Sequence, residues 1–522
     1  MLFWLPESVF RSLEGTCMVV LTERYADQIP GVLSCFDRVV ITGTLPEICH
    51  PQAMARHLTE KGVRLFDYTQ WAEPLREEIR QHAERLASEA GLPIEFIRRK
   101  DFRKEDRVRE LLGKRGNHPG LVHIFSAMES CPSFKPWYDK ATGKTSLRST
   151  EGRCLHYYFY FIDRELGLCY LRVPTWAPFR LQFYFNGHNQ LACQLSQQGI
   201  GYRLVDNVFV EIEDFTRAQK LADSLRAERL HRILDRVAGW LCPILPHFKT
   251  GYHWSLMQVE YATDVVFGGM KELRPVYEEL VRTAIHTVKP EHVATFLGRK
   301  LDERFEGEIG NDFHTRIEGT RIKHHMGRNS IKMYDKLGRV LRIETTSNDV
   351  TFFKHYRRVE HLDGTWEMKN APVKKSIYSL PAVAELMKAA NRRYLEFLSA
   401  LDDPTAGIKD LDKISKPSSD GQRTYRGFNL FVEEDRSALE AILRGEFNLS
   451  GFQSRHLRDL LPGKTPSQVC RILKRLRTHG LIKKVGRTYK YYVTRLGKAV
   501  LSAALKLRRF LLIPAMAEVA SA

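Results

Sequence analysis

Three short segments in the second half of this 522-residue chain combine apolar residues with acidic, basic and tyrosine side chains. They are 257–267 (MQVEYATDVVF), 331–335 (IKMYD) and 340–345 (VLRIET). Carboxylate oxygens bind a hard divalent ion, which polarises a phosphate and neutralises developing charge. A tyrosine hydroxyl becomes a covalent nucleophile once neighbouring cations stabilise its phenolate. The segments therefore predict a metal-assisted site for phosphoryl transfer.

The two-residue period of a β-strand decides which of these side chains share a face. Residues 336–338 fit a three-residue hairpin turn with glycine in the left-handed conformation. That register places Tyr334 opposite Val340 and Lys332 opposite Arg342. A two-residue turn would shift the register and move the tyrosine to the other face from the acid of the next strand. We prefer the three-residue turn because it keeps four apolar residues on one buried side: Ile331, Met333, Leu341 and Ile343.

The predicted site combines a nucleophile with metal ligands from several strands. Tyr334 is the candidate nucleophile, and Lys332 and Lys336 are the candidate cations beside it. Residues 320–327 (TRIKHHMG) predict a further strand, from which His324 or His325 could add a nitrogen ligand. We expect Mg²⁺ or Mn²⁺ at four candidate ligands: Glu260, Asp264, Glu344 and His325. The alternative is three ordinary amphipathic strands with solvated polar faces.

The composition restricts the class of protein and the partner. Hydrophobic residues make up 43%, which excludes disorder over most of the length. The sequence contains no uncharged apolar run of about eighteen residues, so we expect no membrane-spanning helix. The N-terminal residues lack the features of a secretory signal, so we expect a cytoplasmic protein. Lys and Arg number 81 against 62 Asp and Glu, a net charge of +19 that favours nucleic acid. Nine scattered cysteines predict reduced thiols rather than disulfides or zinc.

The succession of elements predicts an α+β, multidomain chain: a central antiparallel-sheet, nuclease-like domain with a C-terminal winged helix. No internal repeat is visible in the sequence. Aromatic residues between 155 and 188, interleaved with Arg172 and Arg180, predict either a sheet for base stacking or a half-buried core. The predicted divisions are an N-terminal α/β region (1–125), an aromatic-rich β-containing region (126–244), the domain with the candidate site (245–400), a linker (401–428) and a DNA-binding domain (429–522).

The last domain carries the clearest charge bias. Thr465 and Pro466 give a strong helix start, and the helix runs to Thr478 with one apolar stripe. A hairpin follows, and from Lys464 to Lys498 there are eleven Lys or Arg and no Asp or Glu. Such a bias predicts contact with duplex DNA. The candidate DNA-binding residues are Ser467, Gln468, Arg471, Lys474, Arg475, Lys484, Arg487 and Lys490.

Two resemblances extend this interpretation. The segment RILKRLRTHGLIKKVGRTYKYYVT resembles the recognition helix and wing of MarR-type winged helix–turn–helix regulators. That resemblance implies that the helix enters the major groove and the wing lies against the backbone. The chain as a whole also resembles a widespread group of bacterial proteins of about this length, which by itself implies no activity.

The central segments resemble the replication initiators of rolling-circle plasmids and filamentous phages, which are tyrosine endonucleases. That pattern is R-x-D-x-A-x-D, then G-x-x-S…YDK, then R-x-E; here it reads QVEYATD, GRNSIKMYDK and LRIE. The resemblance implies that Tyr334 forms the phosphotyrosine link and that Glu260, Asp264 and Glu344 bind metal. The chain departs from the pattern at Gln258, where arginine is usual, and at Glu260, where aspartate is usual.

These observations favour a DNA-binding protein of a mobile-element or replication type, which nicks single strands through a tyrosine. A non-enzymatic winged-helix transcriptional regulator is the first alternative. An RNA-binding protein, based on the aromatic sheet, is the second. The sequence does not indicate the oligomeric state.

Overall fold

The computed structural model describes residues 18–99, 101–301, 305, 307–316, 319–361, 363–401, 404–429, 432–444, 447, 451–486, 488–498 and 500–501. It divides into two compact units, Met1–Asp402 and Asp403–Ala522, which are treated separately below. Helices and one large mixed sheet make this an α+β protein, as the sequence predicts. None of the described helices is long and apolar enough to cross a bilayer.

The first unit is built on long strands, with helices between them. Its helices are α1 (Met18–Arg24), α2 (Pro51–Glu60), α3 (Tyr68–Glu89), α4 (Lys104–Arg115), α5 (Gly187–Gln197), α6 (Phe215–Ala222), α7 (Ala227–Leu241), α8 (Met270–Thr287), α9 (Pro290–Phe296) and α10 (Leu380–Leu401). Its strands are β1 (Gly31–Thr44), β2 (Ile94–Phe96), β3 (Gly120–Asp139), β4 (Lys144–Asp163), β5 (Gly167–Pro174), β6 (Leu181–Phe185), β7 (Tyr202–Val205), β8 (Val208–Ile212), β9 (His253–Val266), β10 (Ile309–Arg316), β11 (Gly319–Met326), β12 (Asn329–Lys336), β13 (Val340–Ser347), β14 (Lys354–Glu360) and β15 (Trp366–Pro372).

Eleven of these strands form one sheet in the order β10-β11-β12-β13-β9-β1-β6-β5-β4-β3-β2. Every neighbouring pair is antiparallel except β2 with β3. The sheet therefore joins strands from all three regions that the sequence analysis separates before residue 400. The composition changes along the chain, but backbone pairing of β1 with β9 and β6 unites these regions in one unit.

The sheet consists of two halves with the same topology. In each half a long strand, β1 or β9, leads through helices to a four-strand meander, β3–β6 or β10–β13. The last strand of each meander pairs with the long strand of the same half, β6 with β1 and β13 with β9. The two long strands, β1 and β9, pair with each other at the centre of the sheet. The sequence analysis finds no internal repeat, yet the topology of the sheet is repeated. Two halves can share a topology without sharing a sequence, because many sequences give the same alternation of buried and exposed faces.

One face of the sheet carries the two largest apolar cores, and the opposite face is polar at β12 and β13 but carries smaller apolar clusters beside α4 and α5. Val39, Ile41 and Phe183 belong to a large core under the first half of the sheet. Under the second half, the core contains the four hairpin residues that the sequence places on a buried side: Ile331, Met333, Leu341 and Ile343. This part of the prediction is confirmed, and it leaves the charged residues of β12 and β13 on the opposite face.

The register of the β12–β13 hairpin differs from the prediction by two residues. Tyr334 pairs with Arg342 and Lys332 pairs with Glu344, instead of Val340 and Arg342. The turn is 337–339, and both Leu337 (φ 61°) and Gly338 (φ 63°) adopt the left-handed conformation. Because the shift is even, each side chain stays on its predicted face.

The aromatic residues of β4 belong mainly to the protein interior. Tyr157, Phe159 and Phe161 lie in the main core, while Tyr158 and Tyr160 pack in a smaller cluster with residues of α4. The core interpretation of this region therefore holds for β4. All described cysteines are free thiols, and Cys17 lies outside the described residues.

The second unit contains helices α11 (Pro404–Ser415), α12 (Glu433–Ile442), α13 (Ser454–Leu460) and α14 (Pro466–Thr478), and strands β16 (Ser418–Ser419), β17 (Thr424–Tyr425), β18 (Ile482–Lys484) and β19 (Tyr491–Val493). The predicted linker instead starts with α11, and its residues Ile414 and Phe428 pack in the core of this unit. Glu433, Glu434 and Asp435 lie in the first turn of α12, where acidic side chains suit the positive end of the helix dipole. Helix α14 has its predicted bounds, with Thr465 as N-cap.

Arg475 of α14, one of the predicted DNA-binding residues, makes structural contacts within the second unit. Its side chain is 11% exposed and makes two hydrogen bonds to Asp435 of α12, at 2.6 and 2.8 Å. It also donates to the carbonyl oxygens of Arg426 and Gly427. These contacts tie the segment before α12 to the predicted recognition helix.

Replacing Arg475 by alanine should destabilise the second unit by roughly 3 kcal/mol, because the buried Asp435 carboxylate loses the guanidinium group that donates to both of its oxygens. The free energy of unfolding from urea denaturation measures this loss. Arg477→Ala is the matched control, since Arg477 is exposed on the same helix. Equal stability of the two variants would contradict a structural role for Arg475.

Candidate functional site

Tyr334, Lys332 and Glu344 meet on the polar face of the sheet. The Tyr334 hydroxyl donates a hydrogen bond to Glu344 Oε2 at 2.6 Å. Lys332 Nζ donates to Glu344 Oε1, also at 2.6 Å, and lies 3.9 Å from Glu260 Oε1. The pairing of Lys332 with Glu344 across β12 and β13 produces this arrangement directly. The structure therefore brings together a tyrosine, a lysine and two of the predicted carboxylates.

A third carboxylate at this position comes from β1. Asp37, Glu260 and Glu344 each offer an oxygen atom, and these atoms lie within 4.8 Å of one another. Two oxygen ligands on opposite sides of one Mg²⁺ or Ca²⁺ ion are about 4–5 Å apart, so the spacing fits a single divalent cation. We call Asp37, Glu260 and Glu344 the carboxylate cluster.

A bulge in β1 directs Asp37 toward this cluster. The pairing of β1 with β9 shifts between Phe36 and Arg38, so that Asp37 has no paired residue on β9. The start of α5 packs closely here, since a Cβ atom on Gly187 would lie 2.2 Å from the Phe36 carbonyl oxygen. Glycine at this position allows Asn186 to donate to Asp37 Oδ1 at 3.3 Å.

Asp264 and Arg342 form a buried ion pair beside the cluster. Arg342 Nε and Nη2 donate to the two Asp264 oxygens at 2.6 and 2.7 Å. His188 bridges this pair to Asp37, with ring nitrogens 3.4 Å from Asp264 Oδ2 and 3.2 Å from Asp37 Oδ1. Asp264, predicted as a metal ligand, instead lies outside the carboxylate cluster, because both of its oxygens accept from Arg342.

His325 also lies outside the carboxylate cluster. It is on β11, where it pairs with Ser330, and its Nδ1 atom is 3.8 Å from Asp312 Oδ2. Strand β12 separates β11 from β13, which carries Glu344. The predicted histidine ligand is therefore not among the residues that the sheet brings to the cluster.

Lys336 reaches the cluster through Asn207. Its ammonium group donates to Asn207 Oδ1, and Asn207 Nδ2 donates to Asp37 Oδ1. Asn207 lies in the turn between β7 and β8, which also offers its backbone carbonyl to Arg342 at 2.7 Å. The turn thus forms one wall of the site, with Lys336 at its edge.

The charges of the cluster are not balanced within it. Burial and the neighbouring Glu344 carboxylate raise the pKa of Glu260 to about 7. Burial alone would lower the pKa of Lys332, but Glu344 and Glu260 raise it. Burial and the Glu344 charge raise the pKa of Tyr334 well above its usual value. The site therefore favours a neutral tyrosine and a charged Lys332.

Asp37 has the opposite electrostatic behaviour from Glu260. Burial alone would raise its pKa, but the Arg342 guanidinium, with help from His188 and Lys336, lowers it. Asp37 consequently stays ionised more readily than Glu260. An ionised Asp37 beside a Glu260 of pKa about 7 suits a hard cation, which would favour the charged form of both.

Sequence reasoning missed Asp37, His188 and Asn207. Asp37 had a weak signal, since it is an acid within the otherwise apolar strand segment CFDRVVITG. Its partner strand, however, follows more than two hundred residues later, and no periodicity in the sequence indicates that pairing. Asn207 lies in a turn, where asparagine is common for conformational reasons alone.

In the second unit, the predicted DNA-binding residues divide into exposed and structural ones. Six are exposed: Ser467, Gln468, Arg471 and Lys474 on α14, and Lys484 and Lys490 on the hairpin. Gln468 also caps α14 by accepting from the Thr465 backbone N–H at 2.7 Å. Arg475 is the buried exception described above, and Arg487 lies outside the described residues.

Comparisons with known proteins add no relative: a scan of protein-family models, a search of curated proteins and a search of solved structures each found no match. The class of protein therefore has to be inferred from the site itself. The fold is α+β, and the candidate site is a tyrosine with three clustered carboxylates on the polar face of the large sheet.

Addition of Mg²⁺ or Mn²⁺ should raise the melting temperature of the first unit, because the ion would bind the folded carboxylate cluster and not the unfolded chain. The rise should be larger at pH 8 than at pH 6, since Glu260, with a pKa of about 7, must be ionised to bind metal. Thermal unfolding at the two pH values, with metal or with a chelator, measures both effects.

Glu260→Gln should reduce the metal response, and Glu279→Gln on the exposed surface of α8 should leave it unchanged. Without metal, the raised pKa of Glu260 stabilises the folded state at low pH, and this contribution is lost as the pH rises through about 7. Glu260→Gln should therefore flatten the pH dependence of stability. A metal response that is the same in wild type and Glu260→Gln would place the ion elsewhere.

Proposed function

We propose that this protein is a metal-dependent DNA endonuclease of the mobile-element or replication type, which nicks one strand through Tyr334. The observation that carries the proposal is the convergence of the Tyr334 hydroxyl, Lys332 and three carboxylates on one face. Ordinary amphipathic strands with solvated faces would not bury Glu344 to 2% exposure beside two further carboxylates. Burying these carboxylates costs free energy, and a role in holding a metal ion for phosphoryl transfer explains why the fold keeps them together.

The residues of the site suit each part of a transesterification. Glu344 Oε2, 2.6 Å from the Tyr334 hydroxyl, accepts the tyrosine proton as the phenolic oxygen attacks phosphorus. A new bond forms between that oxygen and phosphorus, and the bond from phosphorus to the leaving strand breaks. The leaving oxygen takes up a proton, which leaves a free hydroxyl on one strand and a phosphotyrosine on the other.

The two lysines have different tasks in this scheme. Lys332 holds Glu344 and Glu260 in place and offsets part of their charge. Burial, with the Arg342 charge nearby, lowers the pKa of Lys336, so this ammonium group gives up a proton more readily than an exposed lysine. Lys336 is therefore suited to protonate the leaving oxygen.

Asp37, Glu260 and Glu344 would hold a divalent cation. When bound, Mg²⁺ or Mn²⁺ would polarise the scissile phosphate and lower the cost of forming the buried phenolate. Lys332 alone does not stabilise the Tyr334 phenolate enough, because burial and the Glu344 charge hold the pKa of Tyr334 well above its usual value. The three carboxylates would hold the divalent ion that lowers the pKa of Tyr334.

The second unit supports binding to duplex DNA. One side of α14 is buried through Val469, Leu473 and Leu476, while Arg471 and Lys474 are exposed on the other. The β18–β19 hairpin adds exposed lysines next to this helix in sequence. A helix and a basic hairpin presented together suit a winged helix that brings the nicking unit to its DNA.

Tyr334→Phe should abolish the covalent protein–DNA adduct and metal-dependent nicking, because it removes the attacking oxygen. It should leave the fold nearly unchanged, since Tyr334 lies on the polar face and the ring remains. Incubation with single-stranded oligonucleotides and Mn²⁺, followed by a denaturing gel, measures the adduct. Tyr356→Phe, on the exposed β14–β15 hairpin, is the matched control and should behave as wild type.

An adduct that persists in Tyr334→Phe would move the nucleophile to another residue. If the wild type forms no adduct and no nick with single-stranded DNA, the non-enzymatic regulator becomes the better interpretation. Glu344→Gln adds a second test, since it keeps a hydrogen-bond acceptor but removes the base. It should slow nicking strongly while duplex binding through the second unit is unaffected.

The double substitution Arg471→Ala and Lys474→Ala should weaken binding of the full-length protein to duplex DNA by about tenfold or more, since two phosphate contacts are lost. The slope of log affinity against log salt should become shallower by up to about 2. Fluorescence anisotropy over a range of salt measures both. Replacing Lys61 and Lys249, two exposed lysines of the first unit, removes the same charge as a control. An equal loss in both proteins would indicate a general charge effect.

A further inference from the structure

Arg38 of β1 lies next to the carboxylate cluster, on the same face of the sheet. It pairs across the strands with Glu260 of β9, and the side chains of directly opposed residues point to one face. The preceding bulge leaves Val39 on the other face, where it belongs to the large core. Arg38 itself is half-buried. The fold therefore places a cation directly beside one of the three clustered acids.

The N–H donors of Arg38 are unused in the part of the chain that the structure describes. The guanidinium donates no hydrogen bond to the described residues, and none of their carboxylates lies at ion-pair distance from it. Glu260 and the exposed Glu105 of α4 act on its charge from farther away. By contrast, Arg342 on the same face uses its donors on Asp264. Arg38 thus keeps its donors for a ligand.

A row of three tyrosines holds Arg38 in this position. The guanidinium carbon lies 5.4 Å from the ring centroid of Tyr184 on β6, within the range of a cation–π contact. The Tyr184 ring stacks on Tyr170 of β5 at 5.0 Å, and Tyr160 of β4 continues the row at 5.2 Å. The contact with Tyr184 favours an arginine that lies over the ring rather than one that closes onto Glu260. The row explains why two opposed charges do not form an ion pair.

Arg38 and Tyr334 lie on opposite sides of the carboxylate cluster. Strands β13 and β9 separate β12 from β1, so the two backbones are about 14 Å apart across the sheet. Tyr334 is also level with Asp264 and Arg38 with Glu260, which adds about 13 Å along the strands. One phosphate group does not span that separation, even with both side chains extended. Arg38 is therefore placed for a different phosphate from the one at Tyr334.

We infer that Arg38 binds a backbone phosphate of single-stranded DNA, close in the strand to the phosphate that Tyr334 attacks. This inference rests on the proposed nicking function and adds a binding site for its substrate. A guanidinium pairs with phosphate through two parallel hydrogen bonds, which requires donors that are not already engaged. A divalent cation at the carboxylate cluster would take up the charge of Glu260 and leave the charge of Arg38 to the strand.

The test compares Arg38→Gln with Arg274→Gln in the full-length protein. Arg38→Gln removes the charge and keeps a side-chain stem beside Tyr184, and Arg38→Met is a second neutral variant. Arg274 is 73% exposed on α8, which packs against the opposite face of the sheet, so it is the matched control. Every protein also carries Tyr334→Phe, which prevents turnover. The measurement is the anisotropy of a fluorescent oligothymidylate with Mg²⁺ over a range of salt, and melting temperatures show that each variant is folded.

Arg38→Gln should weaken binding about tenfold relative to Arg274→Gln, as one charge-assisted contact is lost. The slope of log affinity against log salt should become shallower by about 0.7, the contribution of one phosphate on a single strand. Arg38→Lys should recover most of this slope, because it restores the charge. Equal affinity and slope in folded Arg38→Gln and Arg274→Gln would overturn the phosphate site. Tighter binding of oligouridylate than of oligothymidylate by the parent protein would overturn the assignment to DNA.

The nicking assay with Tyr334 restored separates this inference from the proposed function. Because the phosphate at Arg38 does not react, Arg38→Gln should raise the KM for single-stranded DNA about tenfold and leave kcat nearly unchanged. If nicking occurs but neither KM nor affinity depends on Arg38, the phosphate site fails and the nicking function stands. If the wild type never nicks but binding depends on Arg38, the phosphate site stands and the nicking function fails. A lower kcat with an unchanged KM would place Arg38 at the scissile phosphate and overturn its assignment to a neighbouring one.

Discussion

The buried guanidinium of Arg342 connects the separate parts of the chain that form the candidate site. It pairs with Asp264 on β9, lies near Asp37 on β1 and donates to the carbonyl of Asn207 in the β7–β8 turn. An arginine with no exposed surface is tolerated only where such partners are present, and removing one partner of a buried pair typically costs about 3–5 kcal/mol. The strand pairing that brings these segments together supplies the partners of Arg342, so this interaction supports both the register of the central strands and the position of Asp37.

That dependence explains which features could be predicted from sequence. The alternation of apolar and polar residues in β12 and β13 is local, and it correctly separated the core residues Ile331 and Leu341 from the polar face. The hairpin register was wrong by two residues, because left-handed conformations at both Leu337 and Gly338 moved the turn. A register shift of two residues leaves each side chain on the same face of the sheet but changes the residue that lies opposite it.

Long-range pairing was the part that the sequence could not supply. Arg342 and Asp264 look like outward charges on two amphipathic strands, yet each removes the other from solvent once β13 lies beside β9. The same adjacency leaves Asp264 outside the carboxylate cluster and brings in Asp37, whose bulge depends on a strand far along the chain. The aromatic region shows the same limit, since the neighbours of β4 decide which rings are core and which line a cavity.

The first half of the sheet also has a tyrosine that is hydrogen-bonded to a glutamate beside cations, although on strands that are not topologically equivalent to β12 and β13. The Tyr158 hydroxyl is 2.7 Å from the Glu129 oxygens, and Arg172 is 2.9 Å from the same carboxylate.

The two groups differ in their charge balance. Burial alone would raise the pKa of Glu129, but the Tyr158 hydrogen bond, Arg172 and Lys104 lower it, so this carboxylate is already compensated. At the other group Glu260 has a pKa of about 7, because Glu344 adds to the effect of burial and Lys332 does not offset both acids. A divalent cation would therefore bind more favourably at Glu260 than at Glu129. The Tyr158–Glu129 contact is therefore a structural hydrogen bond whose charge is compensated by neighbouring cations. At the Tyr334–Glu344 contact, Asp37 and Glu260 add negative charge that a metal ion can neutralise.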